Sequence, residues 1–177
     1  MAELHVVGQL LGASGFGGKS VFCKWGITVG TTWELLEGFD EGQTQVNSEE
    51  EGDMATWAHP IDVHYCSKAL TGWPKIYMQI WEQDSFGRND ICGYGFCHVP
   101  AAPGAYELQC HTWLPQGTLG ERITAHFVGG GPRLKREEVV YSTEDRFRLQ
   151  TTAAGVVHLE LNVVAKDFDR HNVSFGP

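Results

Sequence analysis

Residues 80–93 read Ile-Trp-Glu-Gln-Asp-Ser-Phe-Gly-Arg-Asn-Asp-Ile-Cys-Gly, and the reading of the chain turns on this stretch. Just upstream, Ile76, Met78 and Ile80 alternate with Tyr77, Gln79 and Trp81. Successive side chains leave a strand on opposite sides, so a period of two marks a strand with one core face and one wetter face. The apolar rhythm then stops. Glu82, Asp84 and Asp90 are spaced across a turn containing Ser85, Gly87 and Asn89, after which Ile91 restarts an apolar run. The expectation is strand, acidic turn, strand.

The same rhythm recurs on both sides of this segment. Leu4 and Val6 alternate with His5 and Val7, and Ile61, Val63 and Tyr65 with Asp62, His64 and Cys66. Phe147 and Leu149 alternate with Arg146 and Arg148, and Val157, Leu159, Leu161 and Val163 with His158, Glu160 and Asn162. Clusters of Gly, Pro, Asn, Asp or Glu at 15–18, 49–53, 85–90, 100–104 and 129–132 punctuate these runs. Many short strands separated by turns predict an all-β antiparallel sandwich, taken here as one domain over residues 1–177. One segment departs from the pattern. Leu119, Ile123 and Phe127 recur at helical spacing, Thr118 and Glu121 suit a capping box, and Gly129 suits a stop. A short helix of two to three turns is expected there, inside a long inter-strand connection.

Composition narrows the function classes. Of 177 residues, 42% are hydrophobic and 20% charged, which is ordinary globular usage and argues against disorder. The formal net charge of −9 argues against nucleic acid, whose phosphates are bound through Lys and Arg, and against general attraction to anionic lipid. Five cysteines, Cys23, Cys66, Cys92, Cys97 and Cys110, are odd in number and form no CxxC pair, so neither a disulfide framework nor a structural zinc knuckle is expected. Reduced thiols and a cytoplasmic setting follow. The opening residues MAELHVVGQLLG carry no basic stretch before an apolar core and predict no signal peptide, which leaves the Asn172-Val173-Ser174 sequon unused.

Cys97-His98 and Cys110-His111 place a thiol beside an imidazole, but neighbours on a strand face opposite ways, so neither pair is poised for nucleophilic chemistry. Gly129-Gly130-Gly131 lacks the Lys-Ser/Thr ending of a phosphate loop. No catalytic residues, cofactor or small-molecule substrate are assigned. Among six tryptophans, Trp25 and Trp81 are expected on the outer face of their strands, as candidates for a partner surface.

The acidic turn resembles the third calcium loop of C2 domains, with Glu82, Asp84 and Asp90 on its three acidic positions. The resemblance implies that further carboxylates should come from the first loop. That loop here reads Ala-Ser-Gly-Phe-Gly-Gly-Lys-Ser over 13–20, which places Ser14 and Ser20 where aspartates would stand and Lys19 beside them. Calcium takes six to eight oxygens, several of them charged, so the site reads as degenerate and no metal is assigned. The same two loops carry Phe16, Lys19, Phe86 and Arg88. These four are candidate membrane-tip residues in an alternative reading, a calcium-independent peripheral phospholipid-binding module.

Further motifs follow in order: Phe22-Cys23-Lys24-Trp25-Gly26, Glu41-Gly42-Gln43-Thr44-Gln45-Val46, Trp57-Ala58-His59-Pro60-Ile61-Asp62, Gly72-Trp73-Pro74, Gly93-Tyr94-Gly95-Phe96-Cys97-His98-Val99-Pro100, Phe127-Val128-Gly129-Gly130-Gly131-Pro132 and Asp167-Phe168-Asp169-Arg170. As an ordered set over nearly the whole chain, they resemble the B9 domain family. The resemblance implies a C2-like fold and a non-catalytic scaffold subunit at the base of the cilium, in the transition zone and at the basal body. It also implies other B9 proteins as partners within the complex linked to Meckel syndrome, one member bridging the other two to support the ciliary diffusion barrier.

Overall fold

The computed structural model describes residues 1–17, 19–48, 54–116, 134, 137–142 and 150–168. Among them are ten strands: β1 (Ala2–Ser14), β2 (Ser20–Thr28), β3 (Trp33–Gly38), β4 (Glu41–Gln43), β5 (Asn47–Ser48), β6 (Ala55–Ser67), β7 (Lys75–Gln83), β8 (Asn89–His98), β9 (Gly104–Pro115) and β10 (Thr151–Lys166). The pairings between them are antiparallel, in the order β3-β6-β1-β10-β9-β8-β7-β2-β4, with β5 also on β2. The protein is all-β, as the alternation predicts.

The sheet is continuous in name only. β8 and β9 are joined through a single residue pair, Tyr94 with Trp113. On one side of that seam lie β3, β6, β1, β10 and β9; on the other lie β8, β7, β2 and β4. The two halves curl over each other as the layers of a sandwich. Leu4, Val6, Leu10, Ile61, Val63, Leu159 and Leu161 of the first layer share one core with Val21, Cys23, Ile76, Met78 and Ile80 of the second. Burying such side chains stabilises the fold by about 1.5–3 kcal/mol each, which sets the register of every strand that contributes them. A tryptophan rivets the layers together: Trp57 of β6 is buried, and its Nε1 donates a hydrogen bond to the Val21 carbonyl of β2 at 3.2 Å.

A second, smaller core lies on the outer face of β7 and β8. Ile91, Tyr94 and Trp113 are covered there by Val140, with Leu134 and Tyr141 packed alongside. Val140 belongs to a 3-10 turn, Glu137–Val140, within the β9–β10 connection. The helix expected around Leu119, Ile123 and Phe127 lies outside the described residues, as do the alternation at Phe147 and Leu149, the Gly129–Gly131 run and the sequon. No helix among the described residues is long and apolar enough to cross a membrane.

Trp25 corrects one expectation. It does not lie on an outer face: it is 5% exposed and joins the main core on the same side of β2 as Val21, Cys23 and Ile27. Polarity could not mark the faces of β2, because its outward Phe22 is buried as well. Trp81 does lie on the outward side of β7, but partly buried. It stacks on Phe22 with ring centroids 6.4 Å apart, and the Lys24 ammonium sits 4.9 Å above its ring.

Candidate functional site

The register places the acidic positions at one end of the sandwich. Glu82 pairs with Asp90 across β7 and β8, and with Val21 across β7 and β2, next to Ser20. Two carboxylates facing each other across a strand pair repel unless a cation intervenes. The Lys19 ammonium lies 2.5 Å from a Glu82 carboxylate oxygen and offsets the charge on that side of the pair. A lysine expected beside the serine positions of the first loop thus stands at the acidic position itself.

Asp84 is spent differently. Its Oδ1 accepts hydrogen bonds from the Phe86 and Arg88 backbone N–H groups at 2.9 and 2.8 Å, and its Oδ2 accepts one from Arg88 Nε at 2.7 Å. The Asp84 N–H donates to the Arg88 carbonyl, and the Gly87 N–H donates to the Asp84 carbonyl. Gly87, at φ +78°, supplies the left-handed residue that closes the turn. The Arg88 backbone N–H, then its guanidinium and the Phe86 N–H, hold the Asp84 carboxyl below the ordinary carboxylate range. This is an Asx-type turn whose acid serves the loop's own backbone.

The first loop does not complete a ligand set. Ser14 hydrogen-bonds His158 Nε2 of β10 at 2.8 Å, and Ser20 pairs with Ser48 of β5. Among the described residues, no three His, Cys, Asp or Glu side chains converge in a way that could hold a metal ion. Since Lys19 and Arg88 already neutralise Glu82 and Asp84, the melting temperature is expected to be the same in excess calcium and in excess chelator. A calcium-dependent rise in thermal denaturation would contradict this arrangement.

Phe16 is a second correction. Expected at an exposed tip, it is 6% exposed and belongs to the main core. Gly15 and Gly17, at φ +80° and +72°, bend the loop back so that the ring turns inward. Its slot exists because Gly155 has no side chain: a Cβ there would lie 2.3 Å from Phe16 Cε2 and 2.4 Å from the Ser14 carbonyl oxygen. The Thr112 hydroxyl donates to the Gly155 carbonyl at 2.6 Å and fixes the slot's floor. Of the four tip candidates, Phe86 is 83% exposed. Arg88 leans over that ring, its guanidinium carbon 5.5 Å from the centroid, while paired with Asp84. Lys19 is occupied by Glu82.

The thiols lie mostly inside. Cys23, Cys66, Cys92 and Cys110 are buried and Cys97 is partly exposed. Burial pushes the Cys23 thiol well above its ordinary value and that of Cys92 up to about 12, the range of unreactive core sulfur. Cys110 packs in the core while its neighbour His111 is exposed, as opposite strand faces require.

A feature that the sequence reading passed over lies at the open edge of the sandwich. The connection Phe39–Asp40 carries the chain from β3, at the edge of one layer, to β4, at the edge of the other. Phe39 is 82% exposed. Behind it, a cavity of about 320 Å³ is lined by Trp25, Phe39, Glu41, Gly42, His59, Pro60 and Asp62. A second, of about 430 Å³, opens on the other side of β4 and shares Trp25, Glu41 and Gly42 with the first. The signal was present in Glu37-Gly38-Phe39-Asp40-Glu41-Gly42, a lone aromatic in an acidic, glycine-flanked turn.

The family described as "Ciliary basal body-associated, B9 protein" matches residues 4–164 of this sequence. The chain belongs to the B9 family. B9 relatives agree along its length: the chain is 54% identical to B9 domain-containing protein 2 of Bos taurus over 173 residues, 98% of this chain and 99% of that one. It is 35% identical to B9 domain-containing protein 2 of Drosophila melanogaster over 177 residues, 99% of each chain. It is 30% identical to B9 domain-containing protein 1 of Mus musculus over 177 residues, 98% of this chain and 87% of that one. Among solved structures, the C2A domain of plant Extended Synaptotagmin 1 aligns over 92% of this B9 chain and 93% of that one, at a TM-score of 0.41 and 15% identity.

Proposed function

We propose that this B9 protein is a non-catalytic scaffold subunit of the ciliary transition zone, which binds other B9 proteins and bridges them within a larger complex. The observation that carries the reading is the match to B9 domain-containing protein 2, which extends over 98% of the chain. The tip chemistry supports it. Glu82 and Asp84 are committed to Lys19, Arg88 and the loop backbone, which favours a role for shaped protein surface over ion binding. A lipid-inserting tip is the weaker reading, because one of its two aromatics, Phe16, is packed inside.

Co-expression with the other two B9 proteins of the same organism tests the proposal. The three are expected to elute as one complex, and leaving this chain out is expected to separate the other two. Elution of all three as separate species would overturn it.

A further inference from the structure

The cavity between β4 and β6 has the makings of a docking site. Its inner wall is Trp25, a buried side chain whose Nε1 has no hydrogen-bond partner among the described residues. Buried donors are normally paired, and one left open is costly. The unpaired atom lies directly beneath Gly42, where a Cβ would come within 2.9 Å of it, so the strand backbone approaches the indole as closely as it does only because residue 42 is glycine. The His59 ring meets Trp25 edge-on, with centroids 5.9 Å apart, and burial lowers its pKa toward the neutral form. The outer wall is Phe39, a large ring left in water at 82% exposure.

The rim is acidic. Glu41 and Asp62 line the mouth, and the Asp62 side chain is 70% exposed while hydrogen-bonded to His5. Asp40 lies between Phe39 and Glu41 in the connection, and the whole chain carries a net charge of −9. An apolar cleft ringed by carboxylates is complementary to a particular kind of ligand.

We infer that this cavity receives a segment of a partner protein in which an apolar side chain adjoins a lysine or arginine. The apolar group inserts between Phe39 and Trp25, and the cation sits against Glu41 and Asp62. The inference deepens the scaffold reading by naming a contact surface and its complement. Burial of an aromatic at the centre of such a contact is where binding energy concentrates.

The test pans a phage-displayed library of random short peptides against the full-length chain. Enriched peptides are expected to pair Lys or Arg with a large apolar residue and to shift the Trp25 indole N–H resonance. They should bind Phe39→Ser at least tenfold more weakly, and Phe86→Ser, which alters the exposed aromatic at the tip, as tightly as the parent. The double variant Glu41→Lys, Asp62→Lys, with its rim charge reversed, is expected to enrich acidic peptides instead. No enrichment, peptides indifferent to Phe39→Ser, or an unchanged charge preference would overturn the inference. So would self-association of the chain that Phe39→Ser dissolves, which would make a second copy the occupant. These outcomes are independent of whether the three B9 proteins co-elute, so the scaffold reading and the docking site can fail separately.

Discussion

Replacing Gly155 with valine is expected to destabilise the protein by about 3–5 kcal/mol, or roughly 10 °C in melting temperature, a large fraction of a typical domain's stability. The new Cβ would lie 2.3 Å from the Phe16 ring and 2.4 Å from the Ser14 carbonyl oxygen. The ring can swing out, but only by giving up its burial. The carbonyl belongs to Ser14, the last residue of β1, which pairs with Val156 of β10, so it yields only by loosening that end of the ladder. The two causes can be separated. In a Phe16→Ala background, the added cost of Gly155→Ala should shrink, because the ring is gone, but not vanish, because the carbonyl remains. Urea denaturation would measure both. A Gly155→Val protein that unfolds at the parent's midpoint would mean that Phe16 does not occupy this slot.

Trp57→Ala is expected to cost about 3–5 kcal/mol, the usual loss on truncating a buried aromatic. The residue is 2% exposed and spans from β6 to the Val21 carbonyl of β2, so its loss opens a void where the layers meet and removes a hydrogen bond between them. Trp57→Phe keeps the six-membered ring but loses the pyrrole part of the indole together with its donor, so it leaves a smaller void. That change should cost about 1–3 kcal/mol, less than Trp57→Ala. The midpoint of denaturant unfolding should therefore fall in the order parent, Phe, Ala, with the slope unchanged. Equal effects of the two substitutions would make the hydrogen bond, not the volume, the connection between layers.

Strand rhythm was readable wherever one face of a strand is wet. Val157, Leu159, Leu161 and Val163 alternate with His158, Glu160 and Asn162, and β10 runs through all seven with the apolar set inside. It failed where both faces are covered. On β2, Phe22 is buried on one side and Trp25 on the other, so apolar character carried no direction, and Trp25 was placed on the wrong face. Phe16 failed for another reason. Its burial depends on Gly155, which is far away in sequence, and a glycine's missing side chain announces nothing about what fills the space. The acidic turn was legible because its chemistry is local: Asp84, Phe86 and Arg88 satisfy one another within five residues. The cavity under Phe39 was not, since it arises only when β4 and β6, on different layers, come face to face.

Lys19, resting on Glu82, has a consequence for how the fold can change over time. A tip that answers to an ion would need this lysine removed, Arg88 released from Asp84, and carboxylates installed at both Ser14 and Ser20. No one of these changes completes an oxygen cage for a divalent cation. Several mutational steps therefore separate this tip from an ion-responsive one.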